Sequence, residues 1–369
     1  MDFTPTEAQQ DLEQLTRSIV DKLSTPERQR ELDGQGERFD EPLWRALADA
    51  GVLASALPES VGGNGFGILE QCTVLRELGR GLAAVPYLES IVLAAGALAE
   101  FGDEGQRGVA EQAATGALVL TVALAEEANY EPAQPATRAE SVDGEWLLNG
   151  TKITVAAASR ATRMLVPATT ASGVAVFLLD PTIDGVQVIG QDVVDHSPEA
   201  LVEMHDAPAE LVGTLERGTE VVDFVLERAA IAIAARQLGT LERALELVST
   251  YARERVQFER PIGSFQAVAQ RLADAYIDVK GVRLAVLQAA WRLSERLPAA
   301  AEVYTAKFWA ADAGHRVAHT VIHVHGGVGL DREHPVHRYF LAAKHNEFAL
   351  GSATDQLRRL GGILAATPA

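Results

Sequence analysis

The sequence predicts a mainly α-helical chain with one small antiparallel β domain in its middle third, on three observations. From Thr4 to about Gly116 apolar residues recur at three- and four-residue spacing, as in Leu12, Leu15, Ile19 and Leu23, which is the signature of amphipathic helices. Between about Ala117 and Val212 the pattern changes to short apolar runs separated by turn residues. After Gly218 it returns to long stretches rich in alanine and leucine. The implied division is a helical domain over residues 1–116, a β domain over 117–215, and a bundle of four helices over 216–369.

Each element follows from its own residues. In the first third, helices are punctuated by the turn around Gly51, the loop Pro58 to Gly67 with four glycines, and Pro86. In the middle third, Val119–Leu124, Trp146–Leu148, Met164–Val166 and Val174–Leu179 read as strands, and the dipeptides Asp143-Gly144 and Asn149-Gly150 read as turns bracketing Trp146–Leu148. In the last third, Val221–Val248, Phe265–Leu293 and Ala299–Val321 consist of strong helix formers and are long enough to pack as antiparallel neighbours.

Composition excludes several functions. Lys and Arg total 32 against 51 Asp and Glu, a net charge of -19, which disfavours non-specific binding to nucleic acid or to anionic membranes. Any anionic ligand must therefore find a local basic site. The longest apolar or small-residue stretch, Ile91–Ala99, is about half of the roughly 20 residues a membrane helix needs. Asp2 and Glu7 stand early, with no basic or apolar leader pattern, so a cytoplasmic protein is expected. Cys72 is the one cysteine, so neither an intramolecular disulfide nor a multi-cysteine zinc site is possible. His315, His319, His323, His325, His334 and His337 crowd one region, but no recognisable metal motif accompanies them and no metal is expected.

Three motifs carry chemistry. Tyr251-Ala-Arg-Glu-Arg-Val-Gln-Phe258 is followed by Arg260-Pro-Ile-Gly-Ser-Phe-Gln266; His323-Val-His-Gly-Gly-Val-Gly329 leads to Pro335-Val-His-Arg-Tyr339; Pro58-Glu-Ser-Val-Gly-Gly63 precedes Leu75-Arg-Glu-Leu-Gly79. Arg255 offers a planar, permanently charged fork suited to a pyrophosphate, and Gly326 and Gly327 would let backbone approach a phosphate or adenosine closely. Together these motifs resemble those of the acyl-CoA dehydrogenases, over nearly the whole chain. The resemblance implies the three-part architecture of that family, FAD as cofactor, an acyl-CoA substrate, and an electron-transfer flavoprotein as acceptor. It also implies FAD contacts at Arg255, Gln257, Phe258, Gln266, His323, Val324, Gly326 and Gly327, with His323 standing where the family usually has Gln.

The family's pattern also fails at two places. Dehydrogenation needs a base for the α proton of the thioester while the β hydride passes to the flavin. In many members that base is a Glu immediately before a Gly-Ser or Gly-Thr pair; here the position is Leu350, in Leu350-Gly-Ser352. Glu347 lies nearly one helical turn earlier, and Glu227 is offset by two residues from Ala229, where other relatives carry the base, so it reads as a surface charge. The loop that seats the flavin ring in relatives is replaced by Thr121–Asn129, and their aromatic position by Thr154. The sequence therefore looks like the base-lacking subunit of the two-plus-two heteromeric acyl-CoA dehydrogenases that shorten steroid side chains in actinobacteria. Two alternatives stay open: a homomeric dehydrogenase with Glu227 as a displaced base, and a flavin-free structural partner.

Overall fold

The computed structural model describes residues 3–35, 37–129 and 131–366. In chain order the elements are α1 (Glu7–Leu23), α2 (Pro26–Asp33), α3 (Glu41–Asp49), α4 (Ile68–Arg80), a π-helix over Tyr87–Ala95 that runs on into α5 (Gly96–Phe101), and α6 (Glu104–Ala114). The strands follow: β1 (Leu120–Val122), β2 (Arg138–Val142), β3 (Glu145–Ala156), β4 (Arg163–Thr170), β5 (Gly173–Leu179), β6 (Val186–Gln191) and β7 (Glu199–Leu211). Last come α7 (Gly218–Glu254), the short hairpin β8 (Val256–Gln257) and β9 (Arg260–Pro261), α8 (Gln266–Ser294), α9 (Ala300–His325), α10 (Val336–Phe348) and α11 (Ala353–Ala366). Two compact units result: Met1–Glu31, Cys72–Ala83 and Ala230–Ala369 form one, Leu32–Gln71 and Ala84–Ala229 the other.

The second unit holds the β sheet. Strands β4, β5, β7, β3 and β2 form a ring that closes through the pair Arg138↔Thr169, with β6 on β7 and β1 parallel to β4. Closure leaves few free strand edges. Met164, Val166, Phe177, Val202 and Met204 fill the interior. Asp143-Gly144 makes the expected turn between β2 and β3, with both residues at positive φ, 53° and 91°, as a tight two-residue hairpin requires.

Asn149-Gly150 makes no turn. It lies inside β3, at a bulge where the pairing with β7 slips between Leu148 and Gly150. The glycine is needed for close approach: a Cβ at Gly150 would stand 2.7 Å from Thr137 Oγ1. A bulge and a turn call for the same residue types, so the dipeptide alone does not separate them.

In the first unit α4 and α7 cross at two glycines. A Cβ on Gly79 would lie 2.1 Å from Arg236 O, and one on Gly239 would lie 1.8 Å from Arg76 O. Helix α9 is flanked by α8, α10 and α11. Lys307 on α9 is fully buried and donates to the carbonyls of Glu347, at 3.2 Å, and Gly351, at 3.1 Å, so it caps the C-terminal end of α10. Among the described residues no helix is long and apolar enough to cross a membrane, and no group of three or more His, Cys, Asp or Glu is placed to hold a metal ion.

Candidate functional site

Helix α7 ends just before Arg255, whose N–H donates to Tyr251 O at 2.8 Å and whose carbonyl accepts from Ile262 N–H at 2.8 Å. The chain between those bonds is the β8–β9 hairpin, with Gln257 opposite Arg260. Its tip is Phe258-Glu259, both left-handed with φ of 51° and 65°. Phe258 is 88% exposed and meets the edge of Phe265, at 6.2 Å between ring centres. Arg260 lies over the other ring, 4.2 Å from the centre of Phe265. Gln266 opens α8 and is exposed.

The second predicted segment lies at the end of α9. Gly326 terminates the helix at φ 63°, its N–H bonded back to the carbonyls of His323 and Ile322. That positive φ favours glycine. A Cβ on Gly326 or Gly327 would meet nothing within 4 Å, so both border open space. The sequence suggests their N–H groups as phosphate donors; for Gly326 the structure corrects this, because its N–H is spent on the helix cap. His323 is exposed, whereas the Val324 side chain is buried.

The two segments meet. Tyr251 and His325 stack with ring centres 4.5 Å apart at 24°, and His325 Nδ1 lies 2.8 Å from Val321 O. Burial lowers the His325 pKa and favours its neutral form. This stack ties the end of α7 to the end of α9. Tyr251 stands in the sequence motif, but its stacking partner is 74 residues away and carries no local signal. Arg255, Gln266 and His323 have no side-chain hydrogen bond or ion pair among the described residues. An arginine unpaired among the described residues, in a chain of net charge -19, has the chemistry to hold a phosphate.

Where the sequence pattern puts Leu350, α10 ends at Phe348 and the chain turns through Leu350, at φ 59°, and Gly351, at φ 95°. The Leu350 carbonyl accepts from Gln356 Nε2 at 2.9 Å and from Arg359 Nη1 at 3.2 Å. Glu347 is held elsewhere, 2.6 Å from Lys344 Nζ and 3.2 Å from His315 Nδ1. Glu227 is not the surface charge the sequence suggests. It is half-buried, and burial pushes its carboxyl pKa up. Beside it Arg228 lies 3.3 Å over the Phe224 ring, its pKa lowered to about 10 by burial. A desolvated carboxyl is the type of group that serves as a general base.

In the β unit, Thr154 sits at the second bulge of β3, exposed, at φ 50°, with its N–H bonded to Gln191 Oε1 at 2.8 Å. Nothing aromatic stands at that position. The loop after β1 is organised by Glu126, which accepts from Lys152 Nζ at 2.7 Å, Thr137 Oγ1 at 2.6 Å and Asn129 Nδ2 at 2.9 Å. Burial alone would raise this carboxyl; Lys152 and Thr137 outweigh it and hold the pKa at about 2.

Comparison with known proteins agrees with this architecture. The family pattern described as acyl-CoA dehydrogenase, C-terminal domain, matches residues 216–362, and the N-terminal domain pattern matches residues 6–111. The chain belongs to the acyl-CoA dehydrogenase family, and is thus an oxidoreductase with FAD as its cofactor. It is 53% identical to the acyl-CoA dehydrogenase FadE27 of Mycobacterium tuberculosis, covering 100% of both chains. Among solved structures it is similar to a chain of the ChsE4-ChsE5 complex from the same organism, with 54% identity, 100% coverage of both chains and a TM-score of 0.96. It also resembles a chain of the Tcur3481-Tcur3483 steroid ACAD, with 36% identity, 98% coverage of both and a TM-score of 0.93.

Proposed function

We propose that this chain is the base-lacking subunit of a two-plus-two heteromeric acyl-CoA dehydrogenase that desaturates a steroid side-chain thioester. The observation that carries this reading is Leu350: an apolar side chain stands where relatives keep their base, and Glu347, three residues earlier, is engaged by Lys344 and His315. The flavin, when bound, supplies the acceptor for the hydride of the acyl β-carbon. Arg255 gives its pyrophosphate a charge-assisted fork. Gln257, Phe258, Gln266, His323 and Val324, with the open surface at Gly326 and Gly327, border its adenosine end. A second, base-bearing acyl-CoA dehydrogenase chain supplies the proton acceptor and the seat of the ring. That one similar structure is the ChsE4-ChsE5 complex and another is called the Tcur3481-Tcur3483 steroid ACAD supports the partner and the substrate class. An electron-transfer flavoprotein as acceptor, a cytoplasmic site and the three-domain division at residues 116 and 215 belong to the same reading.

A homomeric enzyme using Glu227 has one observation in its favour, the half-buried carboxyl with a raised pKa. The two readings separate on Glu227→Gln, measured as acyl-CoA dehydrogenation by the assembled protein. The subunit reading expects the rate to stay within about twofold, whereas loss of a general base costs typically 10²–10⁴-fold and would replace it with the homomeric one.

A further inference from the structure

We propose that the concavity walled by α1, α4, α7 and α8 binds a phosphorylated small molecule, at a site separate from the flavin contacts. Its volume is about 720 Å³, within the range of small-molecule pockets. None of Arg255–Gln266 or His323–Gly327 lines it. Seven cationic side chains face three carboxylates, Glu13, Glu242 and Glu246, with Glu77 buried behind them as a fourth. Three positive charges are left over, in a chain whose net charge is -19.

Packing explains part of this set. Arg17, Arg76 and Arg80 converge on Glu77, joining α1 to α4. It does not explain Arg253 and Lys280. Arg253 Nη2 bonds only a hydroxyl, Thr250 Oγ1 at 3.2 Å, and Lys280 Nζ stands 5.3 Å from the centre of the Tyr276 ring; neither has an ion-pair partner among the described residues. Arg283 holds Glu242 through Nη2, and its Nε is buried with no acceptor among the described residues.

A surplus of more than one charge, presented by guanidinium forks beside the Thr250 hydroxyl, suits a doubly charged phosphoryl group better than a single carboxylate. Tyr276, 55% exposed, offers a ring face to the organic part of such a ligand.

The test is calorimetric titration of pyrophosphate, and separately of ADP, into the flavin-loaded assembled protein at low ionic strength. Saturable binding is expected, weakened roughly tenfold or more by Lys280→Glu and by Arg253→Gln, with flavin content unchanged throughout. No binding, or binding indifferent to both substitutions, would overturn the proposal. Binding that displaces flavin would put the probe in the flavin site and overturn it equally.

Discussion

Arg255 and Lys307 show how differently two cationic residues behave in one fold. Arg255 is exposed and unpaired among the described residues, ready for an external anion. A charge-assisted bond contributes about 1.5–3 kcal/mol, so Arg255→Ala should weaken FAD retention by roughly ten- to a hundredfold, read as flavin content of the assembled protein after dialysis. Lys307 is sealed inside, and desolvation, with Arg359 nearby, pushes its ammonium down to about 7. In the unfolded chain a lysine keeps its proton to about pH 10.4. Between about pH 7 and 10 the unfolded state therefore binds the additional proton, and stability rises with pH; below about 7 both states hold it and the contribution is flat. Denaturant midpoints measured from about pH 6 to pH 9.5 should rise above pH 7 by up to ~1.4 kcal/mol per pH unit from this group, and Lys307→Met should remove that rise. At this scale the sequence makes Arg255 legible through the spacing of its motif. It does not reveal that Glu227 is half-buried, because burial is set by tertiary packing around the helix and not by the local run of residues.

Among the elements, the long helices were the most legible. Val221–Val248 falls inside α7, and Phe265–Leu293 and Ala299–Val321 fall inside α8 and α9 apart from their first residues, which are the N-caps, since a helix of that length repeats its periodicity many times. Strands β2, β6 and β7 match none of the apolar runs that read as strands. The alternation in β6 is between partly buried and exposed positions, so no apolar run announces it, and β7 is recognisable mainly through its pairing with β3. Helix crossing is visible in sequence only as glycines. At Gly239 the backbone of Arg76 occupies the space a methyl group would need, so Gly239→Ala should destabilise the protein by roughly 3 kcal/mol or more, seen as a lower thermal midpoint. The β8–β9 tip gives the opposite sign. Glu259 holds φ 65°, a conformation that costs an L-residue roughly 1 kcal/mol and glycine little. Glu259→Gly should therefore raise the unfolding midpoint slightly, by up to ~1 kcal/mol, and a fall in the midpoint would show that the carboxylate has a role the hairpin geometry does not reveal.

For the molecule as a whole, the central claim is that this chain completes a flavin site only with an unlike partner. Arg255, Gln266 and the Gly326-Gly327 surface suit the dinucleotide end, whereas Thr154 offers no aromatic platform and Leu350 no base. A ligand held by two unlike chains favours the assembled state by mass action, so FAD binding and assembly should be thermodynamically linked. The most direct measurement is native mass spectrometry of the chain, purified alone and after co-expression with a base-bearing acyl-CoA dehydrogenase chain. The account predicts a flavin-free preparation in the first case and, in the second, a two-plus-two complex holding one FAD per unlike pair; a homotetramer of this chain carrying four flavins would contradict it.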